Sequence, residues 1–148
     1  MPRTDNSATA IPLYSQQVNI AESKLRPDFL AVLQSGLQRS GARLAGKTAP
    51  GVIELKVTGL EEDKTVSAYS SVRQVREFNH FIELSFTAKR QPLNQSGKTN
   101  TVAAKVRAER TQIYDSRYVL GVSEEEQNIR NELREEVVRL LALRLSVL

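Results

Sequence analysis

The clearest pattern in the chain is the alternation in the segment that opens at His80. Ile82, Leu84, Phe86 and Ala88 fall on one side, and Glu83, Ser85, Thr87 and Lys89 fall on the other. A period of two marks a strand with one buried face. Val102, Ala104, Val106 and Ala108 alternate in the same way with Ala103, Lys105, Arg107 and Glu109, and the intervening QPLNQSGKTN is rich in turn formers. The two segments predict a hairpin. Upstream, Ile53, Leu55 and Val57 alternate with Glu54, Lys56 and Thr58, which predicts a third half-buried strand. It is expected to pass an acidic turn or bulge at Glu61-Glu62-Asp63 and resume from Lys64 to Tyr69. Ser70 to Asn79 would form a hairpin tip or a further twisted strand, and Leu13 to Ile20 a short strand.

Two segments switch to helical spacing. Phe29, Leu30, Leu33 and Leu37 form one apolar stripe, with Ser23 or Asp28 as possible starts, Pro27 in the first turn and an end near Ser40-Gly41. At the C-terminus Ile129, Leu133, Val137, Leu140, Leu141 and Leu145 recur at helical spacing opposite a charged face. Ser123-Glu124-Glu125-Glu126 matches an S-x-x-E capping box, so the long helix is expected to start there with three carboxylates in its first turn.

The element order is thus short strand, helix, three or four antiparallel strands, helix. Each strand has one apolar face and each helix one apolar stripe. The economical arrangement is an α+β two-layer sandwich, a mainly antiparallel four-stranded sheet with both helices on one face. Residues 1–12 show no periodicity and read as a disordered N-terminal segment, leaving 13–148 as a single domain.

Composition narrows the chemistry. The 148 residues suit one domain. A formal charge of +4 makes an anionic partner plausible without choosing one. The absence of cysteine excludes disulfides, thiolate metal sites and cysteine nucleophiles. No apolar run approaches the ~20 residues of a spanning helix.

Motifs for catalysis are weak. Gly41-Ala42-Arg43-Leu44-Ala45-Gly46-Lys47-Thr48 matches G-x-x-x-x-G-K-[ST], and Ser96-Gly97-Lys98-Thr99 repeats its tail. A phosphate loop, however, follows a strand and opens a helix. Here a helix precedes and Ala49-Pro50-Gly51 follows, so Gly41 reads as a helix C-cap before a loop. His80 is the only histidine and lacks the partners that a triad or a metal site requires; it reads as a surface or half-buried strand residue. The glutamates after Ser123 are explained by capping. No catalytic, cofactor or metal site is indicated.

The polar sheet face is expected to carry Lys56, Lys89, Lys105 and Arg107, with Lys64, Arg73 and Arg76 on or near the connecting segment. Such cations are most often solvated, but they can also cradle phosphates, to which arginine adds bidentate geometry. An RNA-binding sheet would display aromatics for base stacking, and the outward interior positions here are Glu, Ser, Thr, Lys and Arg.

Ile113-Tyr114-Asp115, Val119-Leu120-Gly121, Ser123-Glu124-Glu125-Glu126-Gln127, Arg139-Leu140-Leu141 and Arg144-Leu145, in that order, resemble the LptE family of lipopolysaccharide-assembly lipoproteins. The order of the other elements agrees over about residues 13 to 146. The resemblance implies a non-enzymatic subunit at the periplasmic face of the outer membrane that plugs and helps assemble the LptD β-barrel and binds lipopolysaccharide for delivery to the outer leaflet. It also implies an N-terminal lipid anchor on a cysteine that this sequence lacks, so the chain is expected to begin downstream of it. Basic residues near the hairpin tip contact lipopolysaccharide in the family. Arg76 and Arg73 occupy that place, with Lys89 as a further candidate for its phosphates, while Ser123 stands where some relatives carry Lys. No nucleic-acid partner follows from this reading; a cytosolic α+β nucleic-acid-binding module is the alternative.

Overall fold

The computed structural model describes residues 11–21, 25–72, 74–94, 97–114 and 119–148, with the backbone alone at 119 and 120. The expected N-terminal segment (apart from Ile11 and Pro12), Ser23, Arg73, Ser96 and Asp115 lie outside them. Five strands form one sheet: β1 (Gln17–Ile20), β2 (Arg43–Leu44), β3 (Ile53–Tyr69), β4 (Val75–Arg90) and β5 (Asn100–Ile113). Two helices, α1 (Pro27–Arg39) and α2 (Val119–Leu145), complete the fold.

The strand order is β2-β1-β3-β4-β5. β3, β4 and β5 form the expected antiparallel meander, and β1 runs parallel to both β2 and β3. The α+β sandwich therefore stands, with one strand more than expected and a mixed sheet. β2 has only two residues, too few to show a period, and it pairs because α1 returns the chain beside β1 as a β-α-β unit.

Both helices pack on one sheet face. Phe29, Leu33 and Leu37 of α1 join Ile129, Leu133, Val137, Val138, Leu141, Ala142 and Leu145 of α2 over Ile53, Leu55, Val57, Ile82, Leu84, Phe86, Ala88, Val106 and Ala108. Pro27 occupies the first turn of α1, and the N-cap position falls to Arg26, which makes no side-chain cap. At the other end Gly41 takes φ +97°, the left-handed conformation that closes a helix without Cβ strain. The loop with the phosphate-loop letters thus begins as a C-cap and continues into β2 rather than opening a helix.

α2 begins at least a turn before the S-x-x-E sequence, so Ser123 is an exposed residue inside the helix and not its cap. The cause is tertiary. The Gln112 side-chain amide donates to the Val122 carbonyl (3.2 Å) and to Glu125 (3.0 Å), tying the early helix to the end of β5.

β3 and β4 are longer than the helical layer that covers them. On β3, burial is confined to the first half, and positions from Glu61 onward are largely exposed. The acidic segment is not a turn; the strand runs straight through it, and the register shifts lie to either side, between Val57 and Gly59 before it and between Val66 and Tyr69 after it. The far half of the β3–β4 hairpin is therefore an arm projecting past α1. The free outer edge of β5 carries Lys105, Arg107 and Arg110, charges that discourage edge-to-edge pairing.

Candidate functional site

The arm ends in a tight tip. The Ser70 amide donates to the Gln74 carbonyl (2.7 Å), while the Ser70 hydroxyl accepts from the amides of Gln74 (3.1 Å) and Val72 (3.3 Å). This local network fixes where β4 begins and so where Arg76 stands. The Tyr114 amide donates to the Arg76 carbonyl (2.8 Å), which brings the chain beyond β5 alongside the same residue.

Alternation along β4 places Phe78 and His80 on the helix-facing side, beyond the point where the core ends, while Arg76 falls at a register shift between Val75 and Glu77 and lines the same recess as Phe78. Phe78 and Tyr114 meet edge to face with centroids 5.8 Å apart. With Gln74, Val75 and Arg76 they line a recess of about 390 Å³. Arg76 is exposed and, among the described residues, has no carboxylate partner. Tyr69 (62%) and Val72 (70%) are left exposed at the turn that precedes it; Ile113 (74%) is exposed too, but it pairs with Glu77 and so faces the open side of the sheet. The tip thus combines a guanidinium that has no carboxylate partner among the described residues with aromatic and apolar surface, which suits an amphipathic anion better than a small polar one. These apolar residues are absent from the sequence-based candidates; the available signal was Tyr69 and Val72 flanking a polar turn, with nothing in the turn to bury them.

The remaining candidates are not brought to this place. Lys89 lies at the other end of β4, roughly 40 Å away at ~3.3 Å per residue, on the opposite sheet face. There its ammonium stands 3.2 Å from Glu54. Arg73 lies outside the described residues. Lys64 is not on the polar sheet face. The register shift between Val57 and Gly59 turns it toward the helices, where it donates to Glu126 (2.5 Å) and lies 4.4 Å from the Phe78 ring centroid.

The open sheet face is charge-balanced. Glu83 lies near both Lys105 (3.8 Å) and Arg107 (3.6 Å), and Glu109 lies 3.3 Å from Arg107. Asn79 donates to Glu109 at 2.7 Å, and this bond together with Arg107 holds the carboxyl below its usual range. Phe81 lies on this face but is covered by the Arg107 guanidinium, 4.1 Å from its centroid, and is only 8% exposed. It is not free to stack on a base.

His80 is buried, contrary to the surface or half-buried position expected of it. Its Nε2 lies 2.7 Å from Gln112 Oε1. Because the Gln112 amide nitrogen already donates to Val122 and Glu125, its oxygen faces the ring and His80 donates through Nε2. The histidine belongs to a strand-strand-helix tie rather than to a reactive cluster. Among the described residues no three His, Asp or Glu side chains gather as a metal site.

With this geometry in place, comparison with known proteins decides the family. A model described as "LptE: Lipopolysaccharide-assembly" matches residues 12–145. The chain belongs to the LptE family. Rare lipoprotein B from Shewanella oneidensis is similar in structure, with TM-score 0.67 at 15% identity, covering 87% of this chain and 94% of that one. A lipoprotein B from Nitrosomonas europaea gives 0.72 at 14% identity over 92% and 86%, and a minor lipoprotein from Acinetobacter baumannii gives 0.64 at 13% over 89% and 93%. At such identities these similarities establish the fold alone. No curated protein matches the chain. Membership of a lipopolysaccharide-assembly family takes the place of the nucleic-acid-binding alternative, for which the balanced face and the covered Phe81 offer no site.

Proposed function

We propose that this LptE-family chain is a non-enzymatic lipoprotein subunit of the outer-membrane lipopolysaccharide-assembly machinery, partnering the LptD β-barrel and binding lipopolysaccharide at the hairpin tip. The observation that carries the reading is Arg76, without a carboxylate partner among the described residues, beside the Phe78–Tyr114 recess, on an arm whose β3 strand is largely exposed in its far half. Lipopolysaccharide presents phosphates next to acyl chains. A guanidinium can take a phosphate in bidentate geometry while the exposed Tyr69 and Val72 at the turn accept apolar contact. Arg73, close by in the chain, would add a second cation. Lys89 would have to act as a separate contact on the other face.

Two measurements test this. Arg76→Glu should weaken binding of purified lipopolysaccharide at least tenfold, while Lys89→Glu leaves it within twofold; equal effects at the two positions would remove the tip from the site. Co-purification with a co-expressed LptD barrel tests the partnership, and failure to recover the barrel would sink it.

A further inference from the structure

At the root of the arm α2 is joined to β3 by two ion pairs that leave a gap between them. Glu126 takes Lys64 (2.5 Å), and Arg134 takes Glu62 (2.6 Å). Glu62 and Lys64 are neighbours on one strand face, about 7 Å apart, whereas Glu126 and Arg134 are two helical turns apart, about 12 Å. The bridges therefore converge on the strand and diverge at the helix. Between them opens a cavity of about 220 Å³, whose walls include His80, Ile82, Arg130 and Leu133. It shares no lining residue with the recess at the tip, but Lys64 stands between the two: it lines the cavity, and its ammonium lies 4.4 Å from the Phe78 ring centroid.

Three features of the cavity are left unanswered by the fold. Arg130, midway between Glu126 and Arg134 on α2, has no carboxylate partner among the described residues and donates only within its own helix, to Gln127 (2.9 Å). Asp63, at the rim, is in register with Phe81 and so lies on the open side of the sheet. His80 is 7% exposed, and with Nε2 committed to Gln112 its Nδ1 keeps a lone pair. That nitrogen has no partner among the described residues and is not sealed from solvent. Ile82 and Leu133 add a small apolar floor. Each feature excludes a class of ligand. An acyl chain leaves both the guanidinium and Nδ1 unpaired, a neutral sugar leaves the guanidinium, and a bare inorganic anion has no C–H face for the floor. A sugar that carries a carboxylate or phosphate answers all three, with its anion on Arg130, a hydroxyl donating to Nδ1 and its ring face on the floor. The volume, below the roughly 300–1,000 Å³ of drug-sized sites, suits a single ring.

We infer that this cavity is a subsite for one anionic sugar ring, with Arg130 binding the anion and His80 Nδ1 accepting from a hydroxyl. The inference deepens the proposed function and rests on it in one respect: the ring is taken to be a charged sugar of the same glycolipid whose phosphate Arg76 holds, reaching the cavity past Lys64.

The test is nitrogen NMR of the single histidine in the full chain, at a pH where the ring is neutral, during titration with glucuronate or glucose 6-phosphate. Both should move the Nδ1 resonance saturably to lower frequency, the direction of a lone pair that gains a hydrogen bond. Glucose and inorganic phosphate should bind at least about tenfold more weakly, since each lacks one of the two polar contacts or the ring face. Arg130→Gln should weaken acidic-sugar binding by at least about tenfold and weaken lipopolysaccharide binding with it. An unchanged melting curve confirms that this exposed position leaves the fold intact. Arg76→Glu should leave glucuronate binding within about twofold, because the two sites share no residue. Normal lipopolysaccharide binding by Arg76→Glu sinks the tip alone, whereas full binding of acidic sugar or of lipopolysaccharide by Arg130→Gln sinks the cavity, so the two failures are told apart. Equal binding of inorganic phosphate, the mark of an unselective anion contact only, or an Nδ1 resonance that neither acidic sugar moves, would also overturn the assignment.

Discussion

Arg134 on α2 grips Glu62 on β3 through two parallel bonds, Nε to Oε2 at 2.6 Å and Nη2 to Oε1 at 3.0 Å. Arg134 also lies 3.4 Å from Asp28 at the start of α1, so one guanidinium joins both helices to the root of the projecting arm. The Glu62 bonds, against a smaller opposing effect of burial, raise the already high Arg134 pKa. Its side chain is 14% exposed and that of Glu62 26%, so the pair is shielded more than an ordinary surface bridge. Arg134→Ala should cost about 1–3 kcal/mol in urea unfolding, since it leaves a half-covered carboxylate without its donors. Arg134→Lys should recover only part of this, because an ammonium cannot make the two-pronged contact. Full recovery by lysine would show that charge alone matters.

The His80–Gln112 bond makes a different demand. Gln112→Leu removes the acceptor from a buried imidazole and the donor from the Val122 carbonyl together, and should destabilise by about 1–3 kcal/mol. The sharper readout is nitrogen NMR of the single histidine. At pH values where the ring is neutral, the proton should reside on Nε2 in the native chain and lose that preference in the variant. A native Nδ1–H tautomer would contradict the network.

Glu109 gives a pH-dependent expectation. The Asn79 amide, and after it Arg107, lower its carboxyl pKa in the folded state. A carboxylate with a lowered folded pKa stabilises the fold at pH values above its unfolded pKa, and that contribution is lost as pH falls through the folded value. Asn79→Ala should therefore move the Glu109 titration upward in carbon-detected NMR and make this local contribution vanish at a higher pH. An unmoved titration would mean that Asn79 does not hold the carboxylate in solution.

How far the sequence disclosed this molecule depends on whether the deciding contact was local. The alternation of β4 and β5, the stripes of both helices and the Gly41 cap were legible because each is set by neighbours in the chain. The start of α2 was not, because the Gln112–Val122 contact that accompanies its early turns comes from a distant strand. Lys56 and Lys64 share parity in the sequence, yet the register shift between Val57 and Gly59 sends Lys56 to the open face and Lys64 to Glu126. Alternation extrapolated through a bulge assigns every later residue to the wrong side. For the candidate site, Arg76 was legible from its place near a turn, whereas the Phe78–Tyr114 contact beside it required the pairing of β4 with the end of β5.

The crossing of α1 and α2 supplies a prediction whose sign should reverse. A Cβ added at Gly36 would lie 2.4 Å from Val138 Cγ1, closer than side-chain carbons can approach, so the glycine is what lets the two helices touch. Val138 is fully buried and branched at Cβ, so it has little rotameric freedom with which to withdraw. Gly36→Ala gains about 1 kcal/mol of helix propensity but incurs overpacking of about 1–3 kcal/mol, and should lower the melting temperature. In a Val138→Ala background the 2.4 Å contact is removed and only the Cβ of residue 138, 3.1 Å away, still has to give by a few tenths of an ångström. There the same glycine substitution should fill part of the cavity, keep the propensity gain and raise the melting temperature relative to Val138→Ala alone. Stabilisation in both backgrounds would mean that the helices separate at little cost, and destabilisation in both would show that the 3.1 Å approach to the Cβ of residue 138 cannot relax.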